Sequence, residues 1–236
     1  MTPEYFIRVK LFVPHAFQLG FSLNVNRFLA TLNKPPTHPS RPHPALLNAI
    51  CLWATYLSRD SSSNISASAN PQAQEQHLLD RTVVHLTSSL GSPDPVKRIQ
   101  ALQTELLLAQ YYFCNGRFLE GRYHANSAVS LAVSCGLHRI RSSEPSPSPT
   151  SSPSALMGGV IGTGGLFDLA QPRDMVEEGE RINTFWSVFN VDRCWAVATG
   201  TPTMLYDDAG LGTQIDTPWP LAIEDYERVS SLVFLI

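Results

Sequence analysis

The chain has 236 residues, 43% of them hydrophobic, and a formal net charge of −3. That length can bury a substantial core, and the near-neutral charge argues against a nucleic-acid-binding surface made by this chain alone, the longest basic run being Lys97-Arg98. No stretch approaches the ~18 apolar residues of a membrane span, and Pro14, His15 and Gln18 interrupt the apolar run a secretory leader would need, so the expectation is an intracellular soluble protein without membrane partners.

The first forty residues carry weak signals. Tyr5 to Val13 fits a short helix or a strand, and Phe17 to Leu32 is expected as a helix ending before Lys34-Pro35-Pro36. Five prolines between Pro35 and Pro44 exclude a continuous helix there. His43-Pro44 then opens a helix with proline at its first position, and Leu47, Ile50, Trp53 or Ala54, and Leu57 mark its apolar face. Asp60 to Asn70 is a Ser/Asn/Ala tract expected as a flexible loop. Asn70-Pro71 restarts the chain as cap and first-turn proline, with Leu79, Val83, Leu86 and Leu90 lining one face up to Gly91.

The strongest pattern lies in Asp94 to Leu137. Ile99, Leu102, Leu106, Ala109 and Phe113 recur at steps of three and four, behind an Asp94 cap and Pro95. Asn115-Gly116 turns the chain into a second helix, about Phe118 to Cys135. Its inner face of Ala125, Ala128, Ala132 and Cys135 allows close approach of the two axes. Gly136 suits the left-handed position past the helix end, with Leu137 packing back.

Residues 142–165 form a Ser/Pro/Thr-rich and then Gly-rich insert. It cannot bury enough apolar area to offset its ordering entropy and is expected to be disordered; its Ser-Pro pairs are candidate phosphorylation sites or an inert spacer. Asp174 to Ala198 is the last strong helix. Asp174 and Glu177 resemble a capping box, and Ile182, Phe185, Trp186 and Phe189 form a bulky apolar face. Gly179 near its start costs about 1 kcal/mol relative to alanine, and Gly200 with Pro202 stops it. The chain then reads as extended through Pro220, with a further helix beginning at Leu221. The apolar Val233-Phe234-Leu235-Ile236 has no stop signal, which suggests a chain cut inside a domain. Without any strand-period pattern the class is all-α: an irregular helical bundle of packed antiparallel helix pairs, one domain over 1–236, with Trp186, Phe185, Phe189, Leu106 and Phe113 in its core.

Three blocks in order carry a family resemblance. His43-Pro44-Ala45-Leu46-Leu47-Asn48-Ala49-Ile50 is the first. Ile99-Gln100-Ala101-Leu102 with Leu106-Leu107-Leu108, Gly121-Arg122, and Ala128 to Ala132 through Gly136-Leu137-His138-Arg139 form the second. Glu180-Arg181, Phe185-Trp186, Asp192-Arg193 and Gly200-Thr201-Pro202 form the third. Over residues 40–220 this pattern resembles the fungal-specific transcription factor domain, the regulatory region of fungal binuclear zinc-cluster transcription factors. The resemblance implies a regulator of RNA polymerase II transcription in the nucleus, controlled by conformational change through a small-molecule effector, a co-regulator or a homodimer. The basic run before Phe185-Trp186 is reduced to Arg181, and the six-cysteine zinc cluster is absent from this sequence. Zinc and DNA contacts are therefore expected only through a module that this sequence lacks.

No catalytic, cofactor-binding or metal-binding residue is assigned. Cys51, Cys114, Cys135 and Cys194 lack metal-knuckle spacing and are expected as buried core residues in a reducing compartment. Asp192-Arg193 either lines a ligand pocket or forms a structural ion pair or hydrogen-bonded network, and the second fits better because buried charges persist when paired. Asp207-Asp208 reads as a solvated turn, and His124 and His138 as surface or capping residues. The alternative function is a tetratricopeptide-like interaction scaffold, for which only Leu107 to Ala132 gives one copy at the ~34-residue period. An all-α enzyme would need convergent acids, bases or ligands that the spacing does not offer.

Overall fold

The computed structural model describes residues 3–35, 37–59, 70–92, 94–141 and 169–233, and within them the protein is built of α-helices with no strand. The expected loop at 60–69 and the insert at 142–165 lie outside the described residues. The helices are α1 (Pro3–Phe12), α2 (Val25–Leu32), α3 (Pro44–Leu57), α4 (Pro71–Leu90), α5 (Pro95–Cys114), α6 (Phe118–Ser134), α7 (Met175–Thr199) and α8 (Ile223–Val233).

The wall of the structure is α5. Its expected face, Ile99, Leu102, Leu106, Ala109 and Phe113, packs with Ala125, Ala128 and Ala132 of α6 and Ile182, Phe185 and Val188 of α7. Its opposite face, Ala101, Leu107, Leu108, Tyr111 and Tyr112, enters a second core with α1, α3 and α4, around Phe12, Leu46, Ile50, Trp53 and Leu79. Helix α5 is thus buried on both sides, and α3 is buried almost all round from Ala45 to Thr55. Trp53 ties the two helices by donating from Nε1 to the Leu107 carbonyl at 2.9 Å.

Proline-led starts form as the sequence requires. Asp94 and Asn70 accept hydrogen bonds from Val96 N and Gln72 N, each with proline at the first helical position. The box at α7 closes with a shift of one residue. Asp174 accepts from Glu177 N at 2.9 Å, and Glu177 reaches back to Arg173 N rather than to the cap itself. Gly136 and Gly200 both take left-handed conformations behind their helices, φ +69° and +66°.

Four expectations are corrected. The segment Phe17 to Leu32 is not one helix: only Val25–Leu32 is helical, and residues 21–24 are non-helical, held by hydrogen bonds of Ser22 and Asn24 to side chains of α5 and α7. The inner face of α4 runs through Glu75, Leu78, Leu79, Thr82, Leu86 and Ser89, which leaves Val83 and Leu90 exposed; Thr82 and Ser89 bury cheaply by returning their hydroxyls to the Leu78 and Leu86 carbonyls. Phe189 is only half-buried, under the Arg193 guanidinium, and Val188 takes the core position. Cys114 and Cys194 are exposed, whereas Cys51 and Cys135 are buried.

Gly179 has a packing role that outweighs its propensity cost. A Cβ there would overlap the ring of Tyr226, a buried side chain of α8. In an unobstructed helix Gly→Ala gains about 1 kcal/mol. Here Gly179→Ala is expected to reverse that sign, because overpacking costs about 1–3 kcal/mol. Denaturant melts check the loss, and faster proteolysis within 223–233 would place it at α8.

Candidate functional site

The family-like blocks turn out to be cross-ties. His43 caps α3 through Nδ1, which accepts from Ala45 N, and its own N–H donates to Gln100 Oε1 at 2.8 Å, so the first block is pinned to the second. Burial, with Lys97 and His85 nearby, pushes the His43 pKa down, which keeps Nδ1 unprotonated and able to accept. Arg122 reaches Thr201 and the Pro202 carbonyl, pinning the second block to the third. Asp192 and Arg193 do not pair with each other. Asp192 accepts from Met204 N and Leu205 N at 3.0–3.1 Å, and Arg193 donates to Thr203 Oγ1 and the Leu205 carbonyl. The stretch Leu137-His138 holds the 212–217 loop: Thr217 donates to the Leu137 carbonyl and Asp216 N to the His138 carbonyl.

The remaining candidates take structural places. Asp207 and Asp208 lie in an exposed turn, where Asp208 accepts from Gly210 N and Asp207 from Ile215 N. His124 and His138 are buried rather than at the surface. His124 meets Glu105 Oε2 at 2.6 Å and stacks on Tyr112. Among the described residues no three His, Cys, Asp or Glu side chains gather as a metal site. Cys51 and Cys135 belong to opposite cores and Cys114 and Cys194 to the surfaces of two helices, so the residues present do not fit a zinc cluster.

A concave feature lies elsewhere. A half-open cleft of about 850 Å³ lies between the 13–26 segment, α7 and the start of α8. Its walls carry Phe21, Trp186, Val191 and Trp195 beside the amides of Asn183 and Asn190. Volume and composition suit a small-molecule site. Sequence reasoning missed it because its walls come from three distant stretches.

One side of the cleft is fixed by buried polar residues. Ser22 N donates to Gln103 Oε1, the Ser22 and Thr184 hydroxyls meet at 2.7 Å, and Gln103 Nε2 donates to Ser22 Oγ. Asn24 joins three helices: its side-chain oxygen caps α2, its backbone N–H donates to Glu180 of α7, and its side-chain nitrogen donates to Glu227 of α8 at 2.7 Å. Arg27 adds a two-oxygen contact to Asp174.

Glu180 is the titrating member of this junction. Burial raises its pKa, outweighing the Asn24 N–H and the nearby Arg27 charge. A raised folded-state pKa gives stability that is complete below the ordinary carboxyl range and lost as the pH rises through the raised value. Glu180→Gln keeps an acceptor for Asn24 and removes that loss. The variant is expected to melt above the native chain at about pH 8, with the difference shrinking or reversing near pH 4. Thermal melts across that range check it; parallel curves would refute it.

An all-α structure whose motif residues serve as cross-ties, with a cleft beside them, defines a class of helical domain. The family comparison gives that class its name: the model of the fungal specific transcription factor domain matches residues 15–231, and the chain belongs to this family. It is thereby a regulatory region of the fungal transcription factor kind. No curated protein and no solved structure matches the chain. Among the described residues no helix is long and apolar enough to cross a membrane.

Proposed function

We propose that residues 1–236 act as one regulatory domain that controls RNA polymerase II transcription in the nucleus through effector- or partner-dependent change in its helical packing. The observation that carries this reading is the family match over nearly the whole chain. The cleft supports it, because its walls belong to elements joined at the Asn24 junction, so an occupant would bias how α2, α7 and α8 sit together. DNA contact is assigned to a zinc-cluster module outside this sequence or to a partner. The helical-repeat alternative is weakened by α7, which packs over α5 and α6 where a further equivalent hairpin would stack.

The test is the whole chain fused to an unrelated sequence-specific DNA-binding domain in a fungal host, with a reporter gene behind the matching site. Regulation predicts a fluorescently tagged fusion in the nucleus and reporter output that differs from the DNA-binding domain alone. Output identical to that control, with the unfused tagged chain excluded from nuclei, would sink the reading.

A further inference from the structure

We propose that the cleft between the 13–26 segment and α7 binds an uncharged or cationic small molecule with a flat apolar body, and that it rejects anions. Among the described residues the cleft is lined by no Lys, Arg or His side chain, and the charged lining groups there are the carboxylates of Glu224 and Glu227 at one end. An anion entering would lose its hydration without gaining a cationic partner and would face like charge. The positive end of α8 offers no compensation, because Glu224 and Asp225 already occupy its first turn.

The apolar part of the ligand is set by the indoles. Trp195 stacks on Phe113 at 4.0 Å and Trp186 on Trp219 at 4.5 Å, and Trp195 Nε1 is fixed by Gln110, so both rings are held in place before any ligand arrives. Rigid aromatic walls favour flat apolar ligands at low ordering cost and favour cations over their faces. The polar lining includes uncharged amides, Asn183 and Asn190 of α7 among them. Asn183 Oδ1 is buried at the cleft without a hydrogen-bond partner among the described residues, while its amide nitrogen donates to the Leu221 carbonyl.

The proposal deepens the regulatory reading by naming the ligand class of the same cleft, but binding is tested without DNA or cells. The probes are N-phenyl-1-naphthylamine, which is uncharged, and 1-anilinonaphthalene-8-sulfonate, the same skeleton with a sulfonate. Both brighten in apolar surroundings. The whole chain is expected to bind one equivalent of the uncharged probe, at least about tenfold more tightly than the sulfonate. Asn190 is an exposed lining residue of α7. Asn190→Trp should narrow the cleft and weaken binding of the uncharged probe. Asn190→Arg should instead strengthen sulfonate binding and narrow the ratio. Melts that match the native chain show which variants are folded. Equal affinity for the two probes in the native chain would overturn the proposal. So would uncharged-probe affinity unchanged by a folded Asn190→Trp, or sulfonate binding unmoved by a folded Asn190→Arg. If the probe results hold but blocking the cleft leaves the reporter unchanged, the regulatory reading of the cleft fails and the binding site stands.

Discussion

Trp186→Ala is expected to destabilise the protein by about 3–5 kcal/mol, within the range for truncating a buried tryptophan. The ring is 9% exposed, meets Phe185 and Phe189 edge-on at 5.4 and 5.3 Å, and stacks on Trp219. Its Nε1 donates to the Pro218 carbonyl at 2.7 Å, which ties α7 to the extended segment before α8. Alanine removes this bond and the packing together. The site cannot close over the gap, because Trp186 also lines the cleft and the cavity would merge with it. Trp219→Ala is the control: it deletes an equally large ring that is 76% exposed, so its loss should be much smaller. Denaturant midpoints of the two variants decide the matter. A Trp186→Ala loss below about 1 kcal/mol would show that the indole is not part of the core.

The contrast between these tryptophans marks how far sequence alone can go. Trp186 was legible because it falls in register with Ile182 and Phe185 on a long capped helix. The same periodicity placed Ile99, Leu102, Leu106, Ala109 and Phe113 on the inner face of α5 correctly. It missed the other face of α5, because a helix buried on both sides loses the polar stripe that gives periodicity its contrast. It misread α4 for a related reason: Thr82 and Ser89 satisfy themselves on the preceding turn and bury, while Val83 and Leu90 stay out. Phe189 repeated at helical spacing yet sits half-covered by Arg193, since spacing fixes the side of a helix but not what covers it.

The site was legible in a different measure. The family-like blocks were visible as a resemblance, but their physical role was not: Gln100 accepting from His43 N–H, Arg122 donating to the Pro202 carbonyl, and Asp192 accepting from two backbone N–H groups are contacts between stretches distant in sequence or across a turn. The cleft had no local signature. Its floor requires Ser22 and Asn24 to find Gln103, Thr184, Glu180 and Glu227, partners separated by up to 203 positions. Those bonds also explain why a plausible helix from Phe17 was abandoned. A non-helical 21–24 segment lets Ser22 N–H, Asn24 N–H and both side chains meet partners on α5, α7 and α8, which outweighs the few local bonds that helix would have kept.

Glu105→Ala should cost about 1–3 kcal/mol, for the hydrogen-bonding partner it strands rather than for lost volume. Glu105 and His124 are 4% and 7% exposed and meet at 2.6 Å across the α5–α6 interface. Tyr112 stacks on the imidazole at 5.2 Å and 7°, so the ring cannot swing out to water without breaking that contact. Removing the carboxylate strands a buried imidazole nitrogen, and the small residues that bring α6 close, Ala125 and Ala128, leave little room for a water to replace it. The decisive comparison is with both partners removed. Glu105→Leu with His124→Leu leaves no polar group to satisfy, and replacing a buried pair by apolar side chains of similar size is often neutral or better. The double variant should therefore be more stable than Glu105→Ala despite carrying one more change. A double-mutant cycle on denaturant stability measures this, and strictly additive losses would mean that the pair is held by its surroundings and contributes nothing as a pair. A strong coupling would make this buried contact, rather than any one apolar residue, the element that fixes the register of α6 on α5.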